Sequence, residues 1–133
     1  MKRVALFATM LAVSLASAPA HAGLEQEKDI NDGLFVIAIA DKIRRACDSI
    51  GARIFVAKSY VDGLKQKAND RGYTDKEINA HIEDKEKRAK MRAWRNSYFE
   101  SKGASNLDPE SLCVLGRSEI ASETAVGKLL RLK

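Results

Sequence analysis

Cys47, Cys113 and His81 carry the most chemistry that this chain could offer. A thiolate beside an imidazole is a nucleophile, and His81-Ile82-Glu83 opens like the signature of the zinc-dependent deaminases. The Pro-Cys-x-x-Cys that must follow that signature is missing. Asp29-Ile30-Asn31-Asp32-Gly33 faintly resembles a calcium loop. Its glycine falls one place early, and Ala40 stands where a bidentate glutamate is needed. Gly127-Lys128 lacks the earlier glycine of a phosphate loop and is followed by leucine. No serine sits in a nucleophile elbow. These patterns predict no catalytic residue, no cofactor and no metal site, and an enzyme of unrecognised type is the least favoured class.

What the two cysteines do depends on the compartment, and the N-terminus sets that expectation. Met1-Lys2-Arg3 is a short positive segment, and Val4 to Ser17 is apolar or small. Ala20 and Ala22 then supply the small-x-small pattern of a signal-peptidase site. The apolar stretch falls short of the roughly 20 residues that a membrane span needs. Residues 1–22 are therefore expected to be a signal peptide cleaved after Ala22, leaving residues 23–133 as a single domain, periplasmic or secreted. Processing removes His21, so His81 is the one histidine left, and a histidine-rich metal site is excluded. It also removes Lys2 and Arg3, which lowers the formal net charge of +5 by two. A mildly basic exported domain gives no support to nucleic-acid binding. In an oxidising compartment an even cysteine count favours pairing. A Cys47–Cys113 bridge would close a loop of about 65 residues and stabilise by roughly 4 kcal/mol in the chain-entropy view. It would also remove the thiolate that a Cys–His site requires.

The sharpest surface feature is the basic stretch Lys85, Lys87, Arg88, Lys90, Arg92 and Arg95, with Trp94 inside it. Such a stretch can dock on an anionic membrane face or an acidic partner. Glu83, Asp84 and Glu86 stand among these cations as local partners, and the apolar side of the segment is weak. A solvated helix face is the favoured reading. Trp94, Tyr98 and Phe99 are expected in the core.

The elements that must hold these residues read as helices throughout; no alternating strand pattern bounded by turn residues appears. Ile43, Cys47, Ile50, Ile54, Ala57, Val61, Leu64 and Ala68 follow one another in steps of four and three. With Val36, Ile39 and Ala40 they form one apolar stripe. The phase runs on through Gly51, so one long helix, straight or kinked, is expected from about residue 31 to 70. Two helices broken at Gly51 are the alternative, since glycine costs about 1 kcal/mol in a helix interior. Gly72 suits the left-handed position after a helix. Thr74-Asp75-Lys76-Glu77 reads as a capping box opening a second helix that ends near Lys102-Gly103. Asp108-Pro109-Glu110 starts a third carrying Leu112, Cys113, Leu115, Gly116 and Ile120. A last short helix, capped by Ser122, would bring Val126, Leu129 and Leu130 to the core. The expected fold class is all-α: one long helix and three shorter ones, stapled by one disulfide.

Several segments carry a family likeness. Ile43-Arg44-Arg45-Ala46-Cys47, Gly72-Tyr73-Thr74-Asp75-Lys76-Glu77-Ile78, Cys113-Val114-Leu115-Gly116-Arg117-Ser118-Glu119-Ile120-Ala121 and Gly127-Lys128-Leu129-Leu130-Arg131 resemble an uncharacterised family of small exported alphaproteobacterial proteins. The likeness covers most of residues 23–133. The family is a domain of unknown function whose genes tend to lie in or beside the cluster for respiratory complex I, the NADH:quinone oxidoreductase. The resemblance implies an envelope-side accessory role and transfers no catalytic residue. Export, the missing site and the resemblance together make a non-enzymatic periplasmic interaction module the leading expectation, with a protein partner in the cell envelope. A peripheral binder of anionic membranes or ligands, using the basic stretch 85–95, is the alternative.

Overall fold

The computed structural model describes residues 23–133; the expected signal peptide, residues 1–22, lies outside them. Five helices run in order: α1 (Lys28–Ala46), α2 (Ile54–Asp70), α3 (Asp75–Glu83), α4 (Lys85–Ser101) and α5 (Pro109–Ala121). Two three-residue strands, β1 (Ile50–Ala52) and β2 (Leu130–Leu132), pair antiparallel, with Ile50 opposite Leu132 and Ala52 opposite Leu130. Short 3-10 turns at Leu24–Gln26 and Gly127–Leu129 lead into α1 and β2. Among the described residues no helix is long and apolar enough to cross a membrane.

Three of the helices stop in the same way. After α2, Gly72 turns left-handed (φ 91°), its amide donates to the Asn69 carbonyl, and the Tyr73 amide reaches back to Ala68. After α4, Gly103 (φ 73°) and Ala104 repeat the pattern on Glu100 and Phe99. After α5, Glu123 and Thr124 repeat it on Ile120 and Glu119. This is the Schellman stop, in which a left-handed residue lets two amides satisfy the last free carbonyls of the helix. Its usual apolar contact is present twice: Tyr73 and Ala68 share one buried cluster, and Ala104 and Phe99 share the other. The starts are equally local. Thr74 and Glu77 form the expected capping box, and Asp108 accepts from the amides of Glu110 and Ser111 ahead of Pro109.

The main core lies between α1, α4, α5 and the sheet, around Ile39, Ile43, Ile50, Phe99 and Leu112, all essentially inaccessible. Gly116 of α5 makes the close approach possible. A Cβ there would stand 2.5 Å from Ile50 and 2.6 Å from Ile43. Cys47 and Cys113 join α1 to α5 inside this core as a disulfide. A second cluster gathers Leu24, Ile30, Ala68, Tyr73 and Ile78.

The single long helix does not form. α1 ends at Ala46, Cys47 takes an extended conformation (φ −120°, ψ 109°), and α2 restarts at Ile54. The unbroken spacing misled because the first half of the stripe is core while Ile54 and Val61 are exposed. Two tertiary links override helix propensity here: the bridge from Cys47 to α5, and pairing of Ile50–Ala52 with the chain's last strand. The fold is therefore helical with a small sheet and five helices, and the break is the one Gly51 made conceivable. The expected second helix is also two. Asp84 accepts from the Lys87 amide and so caps α4 directly after α3. Ser122 sits at the C-terminal end of α5 and opens no helix; the stretch after it is a 3-10 turn and a strand. Val126, Leu129 and Leu130 are nonetheless buried, as their spacing implied.

Candidate functional site: an apolar groove beside α1

Residues 34–40 are seven consecutive apolar side chains, more than one helix face can hide. Ile39 and Ala40 enter the core, whereas Leu34, Ile37 and Ala38 stay half-buried, Ile37 at the edge of the main cluster and Leu34 at the edge of the second. These three floor a groove of about 1000 Å³, walled by His81 and Ile82 of α3 and by Met91 and Trp94 of α4. Trp94 is half exposed and stacks on Phe35 with ring centroids 4.5 Å apart. Phe35 in turn meets Tyr98 edge-on at 5.8 Å. Of the three aromatic residues expected in the core, Phe99 is fully buried and Tyr98 half-buried, whereas Trp94 belongs to the groove. An indole held by stacking with one face open suits an apolar contact whose polar edge stays wet.

The rim is charged with both signs. Glu25, Asp32 and Asp41 stand along it with Lys28, Lys87, Arg88 and Lys90. At one end, Asn31 Nδ2 donates to the carbonyls of Leu24 (2.7 Å) and Glu27 (2.9 Å). Those two bonds fix the amide so that Oδ1 must accept. His81 Nε2 lies 3.0 Å from it and therefore carries the ring proton. Nδ1 is then an acceptor, buried and without a hydrogen-bond partner among the described residues. Burial, followed by the nearby Lys87 charge, holds the His81 pKa below its ordinary value. The imidazole is thus favoured neutral.

The basic stretch lies along α4, and part of it is engaged within the fold. Lys87 faces Glu25 at 3.7 Å, and Lys90 pairs with Glu86 at 3.4 Å. Arg95 is half-buried, bonds Asn96 and Asn106, and lies 5.9 Å over the Phe99 ring. Lys85, Arg88 and Arg92 are exposed and have no ion pair among the described residues. Half of these cations are engaged locally, and Lys87, Arg88 and Lys90 serve as groove rim.

Two networks escaped the sequence reading. Glu119, 5% exposed, accepts from the Tyr98 hydroxyl at 2.7 Å and from the Thr124 hydroxyl. Burial and then this carboxylate push the Tyr98 pKa well up. Glu119 anchors the turn after α5, and the spacing to Thr124 was its one visible signal. Arg71 clamps Glu27 and Asp29 across 42 or more positions, and Lys67 adds a contact to Asp29 at 3.1 Å. Asp29 of the rejected calcium loop is therefore an ion-pair partner, its carboxyl held well below the usual range by Arg71 and Lys67. Among the described residues no three His, Cys, Asp or Glu side chains gather where they could hold a metal, and no cysteine is free.

No curated protein and no solved structure matches the chain. A family model does, over residues 22–131, which takes in the disulfide, all of the sheet but Leu132 and every wall of the groove. The chain belongs to DUF5333, a family of unknown function.

Proposed function

We propose that the protein is an exported, non-enzymatic binding module of the cell envelope, whose groove beside α1 receives an apolar segment of a protein partner. One observation carries the reading: the groove of about 1000 Å³ floored by Leu34, Ile37 and Ala38 and walled by Met91, with Trp94 open to it. A monomer rarely leaves so large an apolar recess uncovered, and such recesses mark binding sites. The mixed-charge rim fits the polar flanks of an amphipathic segment. The resemblance to exported proteins encoded beside respiratory complex I supports a partner in that enzyme. Docking through Lys85–Arg95 is the weaker reading, because Lys87, Lys90 and Arg95 already have partners.

Trp94 is the chain's one tryptophan, so its fluorescence reports the groove directly. Crosslinked purification of the tagged protein from cell envelopes should recover NADH:quinone oxidoreductase subunits with the wild type and lose them with Met91→Asp. Adding the recovered subunits should shift the tryptophan emission to the blue. Recovery of no such subunit removes the respiratory partner. Equal recovery with Met91→Asp, or an unmoved emission, removes the groove.

A further inference from the structure

The end of the molecule built by the sheet and the start of α2 has a composition unlike the rest. Residues 49–61 and 124–133 contain no aspartate or glutamate, yet hold Arg53, Lys58, Lys128, Arg131 and Lys133. Of these only Lys58 is in an ion pair among the described residues, with Asp62. Their arrangement follows from the strand register. Gly51 lies opposite Arg131, and a Cβ on Gly51 would stand 3.2 Å from Lys133 Cε and 3.9 Å from Arg131 Nε. The bare glycine is thus covered by two cationic side chains lying over the outer face of the sheet. Arg53 continues the ladder: its amide donates to the Leu129 carbonyl at 2.8 Å and its guanidinium to the Lys128 carbonyl at 3.4 Å.

Directly after Arg53 come the two most exposed large apolar side chains of α2, Phe55 and Ile54, followed by Val56. Phe55 is 87% accessible, Ile54 68% and Val56 37%; Leu132 on β2 is 56% accessible. An unpaired phenylalanine at the first turn of a helix contributes nothing to the core and costs solubility. Arg53, Lys128, Arg131 and Lys133 have no ion pair to a side chain among the described residues, so their charge is free to attract a surface of negative charge. An apolar wedge collared by lysine and arginine is what an anionic bilayer accepts: rings and aliphatic chains enter the acyl boundary, and the cations stay at phosphate level.

We propose that this end of the protein docks on an anionic lipid bilayer, with Ile54 and Phe55 entering the interface and Arg53, Lys128, Arg131 and Lys133 meeting the lipid phosphates. The surface is separate from the groove, so the two readings stand or fall independently. It differs from the 85–95 stretch in having no aspartate or glutamate interspersed in sequence among its cations and a more exposed apolar centre.

The test is flotation of the processed, oxidised protein with vesicles of phosphatidylcholine containing 30% phosphatidylglycerol, against phosphatidylcholine alone, at low and at 0.5 M salt. Binding is expected with the anionic vesicles, absent with the neutral ones and lost at high salt. Arg131→Gln with Lys133→Gln should weaken it roughly 30-fold, at about fivefold per charge. Phe55→Ser should weaken it by a similar factor, from the loss of one inserted ring. Arg92→Gln and Met91→Asp should leave it unchanged. Light scattering of the free protein separates the competing occupant. No anionic binding, equal binding to neutral vesicles, an effect of Arg92→Gln as large as that of the sheet variant, or a dimer that Phe55→Ser dissolves, overturns the proposal. All these variants place their changes on exposed or half-exposed side chains, and a retained thermal transition confirms that each is folded.

Discussion

Replacing Cys47 and Cys113 together by alanine opens a ring that encloses α2, α3 and α4. The two residues are 66 positions apart. Closing a loop of that length removes roughly 15 cal/mol/K from the unfolded chain, or about 4 kcal/mol at 25 °C. A domain of this size has a total stability of about 5–15 kcal/mol, so the bridge accounts for a large share of it. Urea unfolding followed by far-ultraviolet circular dichroism measures the loss. With a slope of about 1.5 kcal/mol/M, the midpoint should fall by about 2–3 M. The reduced wild type should fall by a similar amount, which separates the entropy of the ring from packing lost on trimming two buried sulfurs. A midpoint shift below about 0.5 M in both would refute the reasoning, and would mean that α1 and α5 hold each other without the cross-link.

A Cβ at Gly127 would lie 1.9 Å from the Glu119 carbonyl oxygen and 2.7 Å from the Ile120 amide, so Gly127→Ala strikes backbone that cannot step aside. It should cost about 3 kcal/mol and lower Tm by more than 10 °C in calorimetry; Gly63→Ala, with nothing within 4 Å, should be neutral or stabilising. Glu123 ends α5 with φ 50°, where the other two Schellman stops use glycine. Glu123→Gly should therefore raise stability by about 0.5–1 kcal/mol in the same melts. Stability should also fall on acidification in two stages, because Asp29 and His81 both have lowered pKa values in the fold. The unfolded chain then binds more protons, so the stabilisation is present above the unfolded values of about 6.5 for His81 and about 3.9 for Asp29. It is lost as pH drops through the folded ones. In Arg71→Met, carboxyl NMR should find Asp29 titrating nearer its ordinary value; an unmoved titration would show that Arg71 is not the cause.

Local signals in the sequence located the helix ends well. Gly72, Thr74 with Glu77, Gly103 and Asp108 with Pro109 each act through backbone bonds within a few residues, so they can be read without a partner. The failures have one common physical origin. The strand at Ile50–Ala52 exists because residues 130–132 lie beside it, some 80 positions away, and no periodicity near Gly51 announces that pairing. A stripe of apolar residues likewise cannot say whether anything covers it. Ile43 and Ile54 occupy equivalent phases, yet one is inaccessible and the other two-thirds exposed. The groove follows the same logic. The excess of apolar side chains over residues 34–40 was visible, but which side of α1 stays open depends on where α3 and α4 pack. Asp84 is a local signal that was legible and overlooked: an acid just ahead of a new helix.

α2 is seated more lightly than its length suggests. Of its 17 residues only Ala68 is buried; the helix is otherwise held by half-buried Tyr60 against the main core, by Leu64 over Gly33, by the ladder at Arg53 and by the Arg71 clamp. Opening it would uncover little apolar area and would leave the α1–α5 contact untouched. Amide exchange should accordingly be faster along its middle than in its neighbours. Because α2 is itself a segment of the covalent ring, the rod can swing out and return without the chain ever losing its place.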